Sequence, residues 1–336
     1  MSQPYEVERW NTRARITVWA FVLGCAVLAL APLWGSPAFL SRSVVLFVYV
    51  LLAVTWNALA GYAGLMSVGQ QAFFGLGAYF TIRLSDGGVP VFAAMAVAAG
   101  AVALVSVPIS YVMLRLKAGE FAIGMWVLAS LLHLLVNLDP LIQGETGISL
   151  LALNAFDPKT RMVVIYLFGL LSAVGVVAGM LLLLRSRFGA ALQAIRDSEE
   201  AAGSIGVPVF RTKQLVFVFA ALGAALAGAL WLASTVSFQP KTYFGIQWMA
   251  YTVFMVIVGG IGTFEGALIG AVIFFVIETL LASFGLWYLI LLGGTAVFFA
   301  LAFPQGVWGY ARNRHGWFLL PIGRTLITRE KTTGAE

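Results

Sequence analysis

Charge is scarce in this chain: of 336 residues, 10% are Asp, Glu, Lys or Arg, while 61% are hydrophobic. A soluble domain of ordinary size could not hide that much apolar surface in its core, so the composition points to a chain solvated by lipid. Cysteine is nearly absent. Cys25 stands alone in an apolar run, which excludes an intrachain disulfide and leaves it a packing role. No histidine, cysteine or carboxylate residues cluster at ligand spacing, so neither a metal centre nor a hydrolytic site is expected. The phosphate-cradling pattern G-x-x-x-x-G-K-[ST] is also missing, and with it the usual means of binding ATP.

Apolar runs fill the chain instead. About 20 apolar residues cross a hydrocarbon core of roughly 30 Å, and ten such spans fit the hydropathy: 16–34, 43–60, 64–84, 89–114, 120–138, 161–184, 215–236, 246–263, 267–284 and 287–303. The first, ITVWAFVLGCAVLALAPLW, exceeds the roughly 7 to 15 residues of a signal-peptide core and is expected to be retained, although Ala29-Leu30-Ala31 has the look of a cleavage site. The expected fold is an all-α polytopic membrane protein of about ten transmembrane helices. Residues 1–15 form an N-terminal segment, 16–303 the transmembrane domain with a loop at 185–214, and 304–336 a C-terminal tail.

Basic residues orient these spans. With the amino terminus inside, fifteen Lys and Arg fall in cytoplasmic segments and five (Arg42, Arg83, Lys159, Arg161 and Lys241) outside, a bias that places both termini in the cytoplasm. The net charge of +6 is explained by this bias and by anionic headgroups, and requires no nucleic acid. Dividing the chain at the external loop near 139–160 leaves five spans on each side. An odd number reverses the second half, so two inverted halves of five are compatible with the pattern.

The loop RSRFGAALQAIRDSEEAAGSIGVPVFRTKQ is too polar to span, yet it is punctuated like short helices. Asp197 is placed to cap a helix with Glu200 three residues on, Gly206 suits a left-handed stop, and Pro208 blocks continuation. Ala201, Ala202 and Ile205 make a small apolar face able to press into a groove on another protein. The string Glu200-Ala201-Ala202, then three residues, then Gly206, resembles the EAA loop of bacterial ABC importer permeases, although the isoleucine and proline that close the general motif are absent. The wider string RFGAALQAIRDSEEAAGSIGVPVFRTKQLVFVFAALGAALAGAL resembles the branched-chain amino-acid permease family in particular.

Two glycine-rich stretches extend the resemblance. In GYAGLMSVGQQAFFGLGAYF, residues 61–80, glycines interrupt an apolar segment, with Gln70 where the family usually has histidine. Gly64, Gly69 and Gly75 permit a broken or closely packed helix, and lipid would not tolerate Ser67, Gln70 and Gln71, so they are expected along a translocation path. In GGIGTFEGALIGA, residues 259–271, Gly259 and Gly260 occupy the third span of the second half, as the first stretch does in the first half. Glu265 is expected in a solvated turn. Met125, Ser130, His133 and Thr146 depart from the family pattern, which weakens the inference to branched-chain amino acids and leaves urea, short amides or other amino acids open. His133, with Asn137 one turn away, is a further path candidate, while Glu278, inside a span, should be paired, protonated or near the surface.

The resemblance implies an importer permease of the bacterial inner membrane, not an enzyme and without a cofactor of its own. Its implied partners are ATPase subunits that bind ATP-Mg, a second homologous permease and a periplasmic solute-binding protein. A secondary transporter driven by an ion gradient is the rival, but it would want midplane carboxylates and only Glu278 is offered. On the expected topology, cysteines placed at residues 200 and 150 of a Cys25-free chain lie on opposite sides. Labelling of residue 200 by an impermeant reagent from outside would reverse the orientation.

Overall fold

In lipid every backbone N–H and C=O has to find its partner within the protein, so long apolar segments fold as helices. A computed structural model describes residues 5–8, 12–281, 287–303, 305–315 and 325–328. The expected span end at 282–284, Arg9, Arg324, Arg329, Lys331 and most of the C-terminal tail lie outside the described residues.

Strand β1 (Tyr5–Glu8) precedes the helices α1 (Thr12–Trp34), α2 (Pro37–Asn57), α3 (Gln71–Asp86), α4 (Val91–Met113) and α5 (Ala118–Asn137). After a loop containing β2 (Ile148–Ser149) come α6 (Pro158–Arg185), α7 (Arg187–Asp197), α8 (Glu199–Ser204) and α9 (Val209–Thr235). The chain continues through β3 (Ser237–Phe238), α10 (Pro240–Tyr243), α11 (Ile246–Gly259), α12 (Phe264–Leu281), α13 (Trp287–Ala302), α14 (Gly306–His315) and β4 (Thr325–Thr328).

Among the described residues, eight helical segments are long and apolar enough to cross a membrane: those of α1, α2, α4, α5, α6, α9, the run Pro240–Gly259 and α12. The other two of the expected ten, α3 and α13, have 16 residues each, a rise of only about 24 Å. For the third span this corrects the expected helix at 64–84. Helix α2 runs on through a π-helical turn, Ala58–Tyr62, and residues 63–70 are non-helical before α3 begins at Gln71.

The core gathers around α9, which packs on α2, α3 and α4. Its inner surface is small, with Ala220, Ala221, Ala224, Ala225, Ala227 and Ala229 all fully buried, and it lets neighbouring backbones approach closely. A Cβ on Gly228 would lie 1.8 Å from the Phe74 carbonyl oxygen, and one on Gly77 2.2 Å from that of Ala225. By contrast, α1 is almost wholly exposed and meets α6 through a polar contact. Pro32 has no N–H for the Leu28 carbonyl four residues earlier, and the Tyr166 hydroxyl donates to that oxygen at 2.8 Å.

The fold is all-α, as expected, with two short antiparallel strand pairs beside the helices. β1 pairs with β4, which brings these two strands from opposite ends of the described chain together, and β2 pairs with β3. Near the second pair, Asp139 collects the Tyr79 hydroxyl at 2.6 Å, the Arg83 guanidinium at 2.8 Å and the Leu141 N–H at 3.0 Å. Burial opposes its charge, but Tyr79, Leu141 and Arg83 outweigh that and hold the carboxyl below the usual range. A carboxylate depressed in the folded state adds stability that is complete above its unfolded pKa of about 4 and is lost as pH falls through the folded value. Protease protection of the loop at 138–157 is therefore expected to hold at neutral pH and to fade below about pH 4. In Asp139→Asn the loop should be more susceptible already at neutral pH and lose less of its remaining protection on acidification. A wild-type loop equally protected at pH 3 would remove the Asp139 cluster as its fastening.

Candidate functional site

Two regions carry the residues expected to act. The first is the α7–α8 loop. The Ser198 hydroxyl, rather than Asp197, caps α8, accepting from the Ala201 N–H at 3.3 Å, while Asp197 ends α7 and lies beside Arg196. The reason is geometric. Ser198 alone takes the extended conformation an N-cap needs, with φ −160° and ψ 113°. Gly206 is left-handed at φ +86°, as its place before Pro208 predicts.

The expected apolar face of α8 divides. Ala202 is 2% exposed and packs inward, where α8 rests on the start of α9 and Glu199 pairs with Lys213. Ala201 and Glu200 face outward with Ile205, which is 77% exposed. Ile205 is thus the one large apolar side chain of this face left exposed.

The second region is the non-helical segment 63–70. Leu65, Ser67, Gly69 and Gln70 are buried, whereas Gly64 and Met66 are exposed and Val68 is half-buried, the two-residue alternation of extended backbone. Polar contacts fix the buried side. The Trp56 indole donates to the Ser67 carbonyl at 2.8 Å, and the Gln70 amide donates to the Ala220 carbonyl at 2.8 Å. Gly69 fits against the backbone of Met125, whose oxygen would lie 2.0 Å from an added Cβ. Gln71 turns back to the Val68 carbonyl at 3.2 Å, and the Oε1 atoms of Gln70 and Gln71 meet no donor among the described residues.

These contacts also set the depth. Met125 lies about 10 Å along α5 from its start at Ala118, and Ala220 about 16 Å along α9 from Val209, at the usual rise per residue. The Gly69–Gln70 end of the irregular backbone is thus well inside the bundle. Beside Val68 a cavity of about 770 Å³ opens between α11 and α13, apolar except for Gln247 and Tyr251, which hydrogen-bond each other. Sequence reasoning missed Met66, Val68, Gln247 and Tyr251. The alternation in LMSV was legible, but the segment read as helix.

The remaining candidates lie elsewhere. Gly75 faces the Phe244 ring, and His133 stacks on that ring at 5.8 Å. His133 and Asn137 both reach Glu145, at 2.8 and 2.6 Å, and the Lys241 N–H completes the group at 3.0 Å. Burial opposes the charge of Glu145, but Asn137, His133 and Lys241 together hold its carboxyl below the usual range. This fastening joins α5 to α10 and is separate from segment 63–70. Gly259 and Gly260 do not interrupt a span. They form a turn between α11 and α12, where Gly260 has φ +122° and a Cβ on Gly259 would meet the Gly266 oxygen at 1.9 Å. Glu265 is half-buried in the first turn of α12, and Glu278 is hydrogen-bonded with Tyr49 within electrostatic reach of Arg42. No group of three potential metal ligands occurs among the described residues.

Comparison with known proteins places this arrangement. Residues 39–301 match the family described as branched-chain amino acid transport system, permease component. The high-affinity branched-chain amino acid transport system permease protein LivM of Escherichia coli is 27% identical over 315 residues, which cover 85% of this chain and 74% of LivM. The L-arabinose transport system permease protein AraH of the same organism is 35% identical over 102 residues, 29% of this chain and 31% of AraH. The autoinducer 2 import system permease protein LsrC of Klebsiella pneumoniae is 36% identical over 115 residues, 33% of each chain. No solved structure matches the chain. Because the family match runs from the first turn of α2 to the last turn of α13, taking in segment 63–70, the α7–α8 loop and the α11–α12 turn, the chain belongs to the branched-chain amino acid transport permease family.

Proposed function

We propose that this chain is the membrane-spanning permease subunit of an ATP-driven importer, and that segment 63–70 borders the path its solute takes. One observation carries the reading. Non-helical backbone with exposed Gly64 and Met66 leads from the edge of the bundle, where Gly64 meets Arg196, to Gly69 and Gln70 inside it, where it has to be covered by protein or line a water-filled route. The surrounding wall suits an apolar solute. Val68, Phe254 and Leu292 offer surface for an aliphatic side chain, and Gln247 with Tyr251 offers two polar groups, few for a sugar. LivM, whose name specifies branched-chain amino acids, aligns with most of the chain, whereas AraH and LsrC align with about a third.

In this reading Asp197, Glu200, Ala201, Ala202, Ile205 and Gly206 form the coupling element, with Ile205 entering a groove on an ATPase that binds ATP-Mg. Gly64, Gly69, Gln70 and Gln71 shape the path, with Ser67 and Gly75 supporting it from behind. A second homologous permease covers the exposed face, and a periplasmic binding protein delivers the solute. The complex sits in the inner membrane with both termini in the cytoplasm.

Uptake by proteoliposomes holding the complete complex is the test. Leucine, isoleucine or valine should be accumulated and arabinose and urea left outside; accumulation of arabinose alone would move the chain to the sugar permeases. Met66→Trp is expected to cut uptake at least tenfold with assembly intact, because it fills an exposed position of the path. Gln70→Ala, which removes a buried hydrogen bond, should cost roughly 1 to 3 kcal/mol of stability instead. Normal uptake by Met66→Trp would take segment 63–70 out of the path. Ile205→Asp is expected to weaken ATPase copurification and substrate-stimulated hydrolysis together. Ala202→Asp, by burying a charge, should damage the loop itself.

A further inference from the structure

Besides the packing of α8 on α9 and the Glu199–Lys213 pair, the α7–α8 loop reaches the bundle through a side chain that no packing argument requires. Arg196 is 41% exposed, yet its Nη1 donates to the Gly61 carbonyl at 3.1 Å, inside the π-helical turn that ends α2. Carbonyls in the last turn of a helix have no continuing N–H to accept, and the helix dipole gathers negative charge there, so a guanidinium is favoured on both counts. Gly64, where the chain leaves the helical region, packs against the same residue: a Cβ there would lie 3.7 Å from the Arg196 Cα and Cγ.

The guanidinium also borders the α11–α12 turn, since a Cβ on Gly262 would come within 3.2 Å of Nη1. Asn57 locks that turn to α2 independently. Its Oδ1 accepts from the Gly262 N–H at 2.9 Å, and its Nδ2 donates to the Thr263 carbonyl at 2.9 Å. Three elements distant in sequence therefore meet at one point: the end of α7, the start of segment 63–70, and the turn beside the cavity-lining α11. An arginine suits such a junction because its rigid fork can hold a carbonyl while presenting a second edge to a neighbour, which the single point charge of lysine cannot do.

We propose that Arg196 is a positioning residue that passes displacement of the α7–α8 loop to segment 63–70 and to the α11–α12 turn. The proposal rests on the reading that α8 docks on an ATPase. It adds the route by which that docking reaches the path, through Gly61 and Gly262 instead of through the continuous helix α9.

The test uses the complete complex in proteoliposomes and measures ATPase copurification, ATP hydrolysis and solute uptake separately. Arg196→Ala is expected to retain copurification and basal hydrolysis while the solute moved per ATP falls roughly tenfold. Arg196→Lys, which keeps the charge and one donor, should recover part of that ratio. A merely structural contact would lower all three readouts in step, so a fall in parallel overturns the proposal. A normal ratio in Arg196→Ala overturns it equally, as does lost copurification, which would make Arg196 a docking residue. Should Arg196→Ala fail to insert, Arg196→Lys decides alone: a ratio equal to wild type removes the junction from the mechanism. The docking reading fails by a different sign, normal copurification in Ile205→Asp.

Discussion

The requirement that backbone hydrogen bonds be satisfied in lipid governs this structure, and segment 63–70 is where it is hardest to meet. Everything around the segment answers that demand. The carbonyl of Ser67 goes to Trp56, that of Val68 to Gln71, and that of Gly61, just before the break, to Arg196. The side-chain amide of Gln70 reaches across to α9 and fixes the whole piece in register. Those contacts need tight spacing, which the alanine and glycine surface of α9 supplies by letting α3 approach to backbone distance.

A consequence is that polar and glycine residues here divide into two kinds by task. Gly69, Gly77 and Gly228 are fitted against carbonyl oxygens and admit no side chain. Gly64 is open on one side and owes its identity to φ +68°, a conformation that costs roughly 1 kcal/mol or more for a residue with a Cβ. Composition treats these positions alike. Their neighbours separate them.

That distinction explains how much could be read from the chain itself. Spans at 161–184 and 215–236 were legible because apolar length and flanking basic residues determine a helix almost unaided; the first lies within α6, and the second overruns α9 by one residue, Val236. The π turn and the unwound stretch were not, since LMSVG has the hydropathy of a span and only the contacts of Ser67, Gln70 and Arg196 reveal its conformation. The same holds for Ala202: its burial comes from α9 folding back beneath α8, a tertiary fact that helical periodicity in a six-residue segment cannot contain. Gly259 and Gly260 were misjudged for the opposite reason. Their glycines resemble those of residues 61–80 in composition, but they serve a hairpin turn between two intact helices.

The proline in α1 has an effect that reaches beyond its own helix. Pro32 leaves one carbonyl at Leu28 bare in a segment otherwise surrounded by lipid, and Tyr166 of α6 takes it. Together with the buried Ala31, this bond helps fix the rotational phase of α1 about its axis, which apolar contact with fluid acyl chains could not do. Helix α1 is then moored to α6 and lies as a fender along the flank of the bundle.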